Sequence, residues 1–203
     1  MRDKESHTSS LTPHTLLTAY AQGIFPMASS RGGKKITWYE PDPRAVLKLD
    51  EFHAPRRLMR SYRNLINQTL MVDKDFPAVI NACAAREETW LNDELIAVYI
   101  ELHRMGHAHS IELWQDGALA GGLYGVAVPA IIGGEIRPGR HIFCGESMFS
   151  RARDASKLCL IFLVEWLRGQ GFEYLDAQFQ TPHLSQFGFQ EVTREDYQKI
   201  LGH

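Results

Sequence analysis

Ile142-Phe143-Cys144-Gly145-Glu146-Ser147-Met148-Phe149-Ser150 is the stretch whose reading decides the fold. Its aromatic and apolar residues read as a strand, yet Gly145-Glu146 plants a small residue and a carboxylate in the middle. Such a carboxylate is either exposed on an edge or buried with a chemical role, and the second reading is adopted here. Upstream, His109 to Gln115 and Ala118 to Val128 form a hairpin around Asp116-Gly117, a strong short-range turn signal. Downstream, Asp154 reads as the N-cap of a helix from Ala155 to Arg168 that is apolar almost all round, and therefore buried. Gly169 and Gly171 close that helix. Tyr174 to Phe179 then reads as a strand with Asp176 and Gln178 on one face.

Composition bounds what this region can belong to. A chain of 203 residues can bury a substantial core, and 44% hydrophobic with 23% charged residues is ordinary for a soluble globular protein. No apolar run approaches the roughly 18 residues of a membrane helix, and the first residues lack a signal-peptide core. Cys83, Cys144 and Cys159 are odd in number and lie among apolar residues, which implies a reduced, cytoplasmic protein. A net charge of −2 confines any polyanion site to a local patch.

Such a patch is legible after Pro55. Arg56, Arg60 and Arg63 fall on one helical face, with Arg57 beside it, while Leu58, Met59 and Tyr62 point about 120° away. No acidic residue occurs between positions 52 and 72. Arginines at this density suit phosphate oxygens, although a solvated helix face would look similar.

Nearer the N-terminus, Thr12-Pro13 starts a helix that Gly23 ends, and Ile24 to Met27 reads as an exposed apolar corner. Short strands are expected at Ile36 to Tyr39 and Ala45 to Leu49. The turn-rich stretch between them places a domain boundary near residue 45, with a small N-terminal domain over 1–45 and a catalytic domain over 46–203. Further helices are expected at Phe76 to Arg86 and Asp93 to Met105. His103, His107 and His109 lie close in sequence, but Gly106 interrupts the helix between them and no third ligand type is near. A structural role is favoured over metal binding, with His107 and His109 expected on one strand face.

A meander, a buried helix and one more strand make an α+β architecture that resembles the N-acetyltransferase (GNAT) fold, a mixed sheet flanked by helices. In that fold the turn after the meander greets a cofactor pyrophosphate with glycine-rich backbone. The turn here, Arg151-Ala152-Arg153-Asp154-Ala155-Ser156, has no glycine and holds a carboxylate. That weakens a coenzyme A donor, while Arg151 and Arg153 leave anion binding open. Other readings also stay open: a noncatalytic tRNA-binding module, and Cys144 as a nucleophile.

Several motifs in fixed order carry a more specific resemblance. They are Ala19-Tyr20-Ala21-Gln22-Gly23-Ile24-Phe25-Pro26, Pro41-Asp42-Pro43-Arg44, Gly106-His107-Ala108-His109-Ser110-Ile111-Glu112, Gly121-Gly122-Leu123-Tyr124-Gly125-Val126, Phe143 to Ser150, Ala155-Ser156-Lys157 and Asp176-Ala177-Gln178. Together they resemble the leucyl/phenylalanyl-tRNA–protein transferases, from about residue 12 onward. The resemblance implies transfer of Leu or Phe, less well Met, from aminoacyl-tRNA to the N-terminal Arg or Lys of a protein, marking it for degradation by the N-degron pathway. It implies no metal and no coenzyme, and the chain is expected to act as a monomer away from membranes.

Carried over by position, the resemblance gives Asp176 and Gln178 the proton relay and the orientation of the attacking amine, and Glu146, close to them, joins them as a third catalytic residue. Asp176 would polarise Gln178, Gln178 would bind the attacking amine, and Glu146 would hold the aminoacyl group or balance the acceptor's positive side chain. Leu123, Met148, Leu163, Leu167 and Leu175 would form the socket for the donor side chain, though the same residues would also serve as plain core. Trp90 and Met27 would face the terminal adenosine, Met27 standing where the family usually has Trp. Arg56, Arg60 and Arg63 would take the acceptor stem. Residues 129–140 look like an insertion.

Overall fold

The computed structural model describes residues 11–202 except 133, 134, 138 and 140. Helix α1, Pro13–Ala21, begins where Thr12 and Thr15 exchange side-chain and backbone hydrogen bonds, with proline in the first turn. Strands β1 (Phe25–Ala28) and β2 (Ile36–Tyr39) pair antiparallel as a separate two-stranded sheet. Phe25 is buried there, so the corner expected to be exposed is a docked strand. Its partner strand and the bond from the Ala28 N–H to the Trp90 carbonyl, 2.9 Å, supply what the local sequence does not reveal.

The chain continues through β3 (Arg44–Lys48), α2 (Arg56–Arg63), β4 (Gln68–Val72), α3 (Phe76–Ala84), α4 (Asp93–Arg104), β5 (Ala108–Gln115) and β6 (Ala118–Ala127). The apparent insertion is a small antiparallel pair, β7 (Ala130–Ile132) and β8 (Glu135–Arg137). Strand β9 (Ile142–Ser150), α5 (Ala155–Gln170), β10 (Tyr174–Gln178), α6 (Pro182–Ser185), β11 (Gln190–Val192) and α7 (Arg194–Leu201) complete it. Asp154 does sit before α5, but its backbone is left-handed (φ 58°) and its side chain caps nothing. Its carboxylate instead pairs with Lys157 at 2.8 Å.

The main sheet has seven strands in the order β11-β3-β10-β9-β6-β5-β4. Among these pairs only β9 and β10 run parallel, and their register, Tyr174↔Ile142, Leu175↔Phe143 and Asp176↔Cys144, stops at Asp176. Beyond that point β10 shifts register against β3 and Gln178 takes a φ of 60°. The two strands therefore part, leaving a gap between Gly145-Glu146 and Ala177-Gln178.

Alternation along the strands fills a core on each face. Tyr124 and Cys144 face α1, α3 and α4, while Leu123, Phe143 and Leu175 face α5 and α2. Leu16, Leu17 and Tyr20 of α1 belong to the same cluster as α3 and α4, so the N-terminal segment shares that core. His107 precedes β5 rather than sharing a face with His109, and its carbonyl accepts from the Ala127 N–H. His109 binds Asp73 at 2.7 Å and His103 stacks on Phe76, both structural roles. Among the described residues no group of three or more candidate ligands could hold a metal, and no helix is long and apolar enough to cross a membrane.

Gly125 marks how tightly β6 and β9 approach at their bulge: an added Cβ would stand 2.2 Å from the Cys144 carbonyl oxygen and 2.4 Å from the Phe143 ring. Gly125→Ala should therefore lower stability by roughly 2 kcal/mol or more, read as a fall of about 4–8 °C in the thermal midpoint.

Candidate active site

The gap between β9 and β10 opens into a cavity of about 350 Å³. Its wall is apolar: Leu123 from β6, Met148 from β9, Leu160 and Leu163 from α5, and Leu175 from β10, closed by Leu184 and Phe189. Phe25, Met27, Trp90 and Phe179 also line it, with the exposed Arg86 donating to the Met148 carbonyl. The polar end consists of Glu146, Asp176 and Gln178. The parting strands thus bring these three together with Leu123, Met148, Leu163, Leu175, Trp90 and Met27. Leu167, expected in the socket, does not line it. It lies a turn further along α5, fully buried, and its carbonyl accepts the Phe172 N–H that ends the helix. Leu160, one turn the other way, takes that place.

Asp176 has no exposure to solvent. Its Oδ2 accepts from Nε of Arg44 at 2.9 Å, the Tyr197 hydroxyl at 2.7 Å and the Cys144 thiol at 3.1 Å, and Nη2 of Arg44 lies 2.7 Å away as an ion-pair contact. Burying a carboxylate costs several kcal/mol unless its lone pairs are filled, and here a fully buried arginine and two further donors fill them. Burial works against the Arg44 charge, but Asp176 outweighs it and holds the guanidinium protonated. The remaining oxygen, Oδ1, accepts the backbone N–H of Gln178 at 2.8 Å. Asp176 therefore grips the Gln178 backbone and does not polarise its side-chain amide, which corrects the sequence expectation. The cause is the β-bulge, which turns the Gln178 N–H back toward the preceding carboxylate.

The Gln178 amide instead reaches Oε1 of Glu146 at 3.4 Å. The Tyr99 hydroxyl donates to Oε2 at 3.3 Å, and Tyr20 and Tyr99 share a hydrogen bond of 2.7 Å. Burial pushes Glu146 up to about 7; the Tyr20 hydroxyl opposes this, Asp176 adds to it, and Tyr99 and Arg44 oppose it. Burial also pushes Tyr20, Tyr99 and Tyr124 up, so their phenols stay protonated. Cys144 is pushed up by burial and then by Asp176, which keeps it a thiol and removes it as a nucleophile.

Sequence reasoning missed Arg44, Tyr20, Tyr99, Tyr197, Arg86 and Leu160. Only the fold reveals that the Tyr20 and Tyr99 hydroxyls, from two different helices, converge on Glu146. Arg56, Arg60 and Arg63 lie on the solvent side of α2, while Leu58 is buried and Met59 and Tyr62 pack against the α5 cluster. A hollow lined by Arg57, Lys157, Gln186 and the Asp154 carboxylate adjoins α2.

A mixed sheet flanked by helices, whose parallel pair parts over a half-apolar cavity, defines an N-acetyltransferase-like fold. The sequence matches the leucyl/phenylalanyl-tRNA protein transferase model over residues 46–202 and that family's N-terminal domain over 9–42, and the chain belongs to this family. It is 47% identical over 197 residues to the leucyl/phenylalanyl-tRNA–protein transferase of Herpetosiphon aurantiacus, covering 96% of this chain and 94% of the relative. The corresponding protein of Cereibacter sphaeroides is 48% identical over 191 residues, covering 94% and 84%. Among solved structures, a tandem GNAT protein from the clavulanic acid biosynthesis pathway superimposes with a TM-score of 0.45 at 12% identity, covering 99% of this chain and 58% of that one.

The raised Glu146 has a consequence for stability. The folded chain holds that proton more tightly than the unfolded chain, so stability falls as pH rises from about 4.5 through about 7, and the loss is complete above that window. Glu146→Gln removes this dependence. Discounted for the partial exposure of Glu146, its stability relative to wild type should gain roughly 1–2 kcal/mol between about pH 5 and pH 8, measured by urea unfolding.

Proposed function

We propose that the cavity receives the aminoacyl end of a charged tRNA and passes Leu or Phe to the N-terminal Arg or Lys of a protein. The observation that carries this reading is the apolar socket ending at Glu146 and Gln178 in the strand gap. An unbranched-at-Cβ apolar side chain fits between Leu123, Met148, Leu160, Leu163 and Leu175. Discrimination by such a socket is worth about 1–3 kcal/mol. The terminal adenosine packs on Trp90, with Met27 giving a nonaromatic second surface. The acceptor stem runs to Arg56, Arg60 and Arg63 of α2.

An aminoacyl ester is already activated, so the enzyme's task is to hold ester and amine in register and to take up one proton. The amine nitrogen attacks the ester carbonyl carbon. The carbon–oxygen bond to the ribose then breaks, and an amide and a ribose hydroxyl result. Gln178 orients the amine. Glu146, poised near neutral pH, accepts the amine proton and returns it to the departing ribose oxygen. Asp176 keeps Gln178 in place and is not the proton acceptor, because its Oδ2 is filled by cationic and hydroxyl donors. No coenzyme or metal enters this scheme. The setting is the cytoplasm, in keeping with three unpaired, buried cysteines, and the chain works as a monomer with residues 1–45 as a small N-terminal domain. Its product enters the N-degron pathway.

The direct test is transfer of labelled leucine from charged tRNA to a peptide beginning with Arg, beside the same peptide beginning with Glu. Label on the first peptide and none on the second is expected, and label on neither would overturn the reading. The α2 arginines give a second measurement. Replacing Arg56, Arg60 and Arg63 by Ala should reduce the slope of log affinity against log salt by about 2 to 3, at roughly 0.9 per phosphate contact.

A further inference from the structure

Resting on the function proposed above, we infer that Tyr197 of α7 and Arg44 of β3 are positioning residues for the transfer step, fixing Gln178 through the two oxygens of Asp176. Neither residue lines the cavity, and neither reaches the substrate. Both end on the same atom: Oδ2 of Asp176 accepts from Nε of Arg44 at 2.9 Å and from the Tyr197 hydroxyl at 2.7 Å, with Nη2 of Arg44 in ion-pair contact at 2.7 Å. With Oδ2 held from these sides, the carboxylate has one orientation, and Oδ1 is aimed at the Gln178 N–H, 2.8 Å away.

That aim is needed because Gln178 holds a left-handed backbone, φ 60°, which a side-chain-bearing residue adopts only when something holds it there. The bond from its N–H to Oδ1 is the local restraint. Let the carboxylate turn, and the backbone relaxes toward ordinary values while the Gln178 amide swings away from Glu146, which it reaches at 3.4 Å. Arg44 is itself fixed: Nη1 donates to the Gly23 carbonyl at the end of α1, and the guanidinium lies 4.1 Å from the Tyr197 ring centroid and 5.7 Å from that of Phe25. Tyr197 lies directly against Gly23, where an added Cβ would meet its ring at 3.1 Å. The start of β3 and the helix α7 thus converge on one oxygen, with the carbonyl just after α1 holding Arg44 in place.

The test uses the full chain, leucine-charged tRNA and an Arg-leading peptide. Tyr197→Phe keeps the ring over Arg44 and removes one donor to Asp176. Its kcat should fall roughly 10- to 100-fold, the loss expected for a hydrogen bond to a buried charge, while KM for charged tRNA stays within about twofold. Ile200→Ala on the same helix loosens packing without touching Asp176. It should lower the thermal midpoint and leave kcat near wild type. Wild-type kcat in Tyr197→Phe would overturn the positioning role. So would a kcat loss in both variants that follows the melting temperature, since that would make α7 a structural support alone. A wild-type chain that moves no leucine would overturn the function itself, and so is told apart from either result.

Discussion

The ion pair between Arg44 and Asp176 is the constraint on which the rest of this molecule depends. Both groups are fully buried, and each would be a heavy liability without the other. Such pairs often contribute little net stability compared with apolar residues of equal size, so their retention asks for another reason. Here the reason is direction. The pair sets the angle of a carboxylate, the carboxylate sets an unusual backbone, and the backbone sets an amide opposite Glu146. The cost in desolvation is offset by donors to Asp176 from β3, β9 and α7 and by the Gly23 carbonyl just after α1, which accepts from Arg44 and ties the N-terminal helix to the large sheet.

The second constraint is the parting of β9 and β10. A sheet with every strand paired would leave no room for a ligand and no reason for a carboxylate in its middle. Because the parallel register ends at Asp176↔Cys144, the following residues lose their partners and line a cavity instead. The same break lets one wall be greasy and the other polar. Leu175 faces the socket, while Gln178, three residues on, faces Glu146. The apolar wall and the polar end of the cavity thus lie a few residues apart on a single strand.

Much of this was legible in the sequence, for identifiable reasons. The strand carrying Glu146, the hairpin at Asp116-Gly117, the buried helix α5 and the strand of Asp176 follow from local periodicity and turn residues, and together they suffice for the sheet class. The basic face of α2 follows from arginine spacing alone. What local pattern could not convey depends on long-range pairing. The apolar corner at Phe25 looked exposed because its pairing with the nearby strand at Ile36–Tyr39 goes unread, and because Trp90, which accepts from Ala28, lies far along the chain. Leu167 was placed in the socket by the family resemblance, and its helical spacing from Leu163 agreed, but spacing gives the face and not the depth along the axis. The polarising role first given to Asp176 assumed regular strand geometry, and the bulge at Gln178 breaks it. Arg44 was visible as part of a motif, yet its burial against a residue 132 positions away is a tertiary fact.

That separation also bears on how the molecule matures. Contacts across such distances form late, after nearer hairpins such as β5 and β6 have closed, because chain entropy must be overcome first. Folding intermediates with helices and most of the sheet in place would still lack an aimed Gln178. Transfer would then belong to finished molecules alone, so that the enzyme would be silent until its own assembly is done.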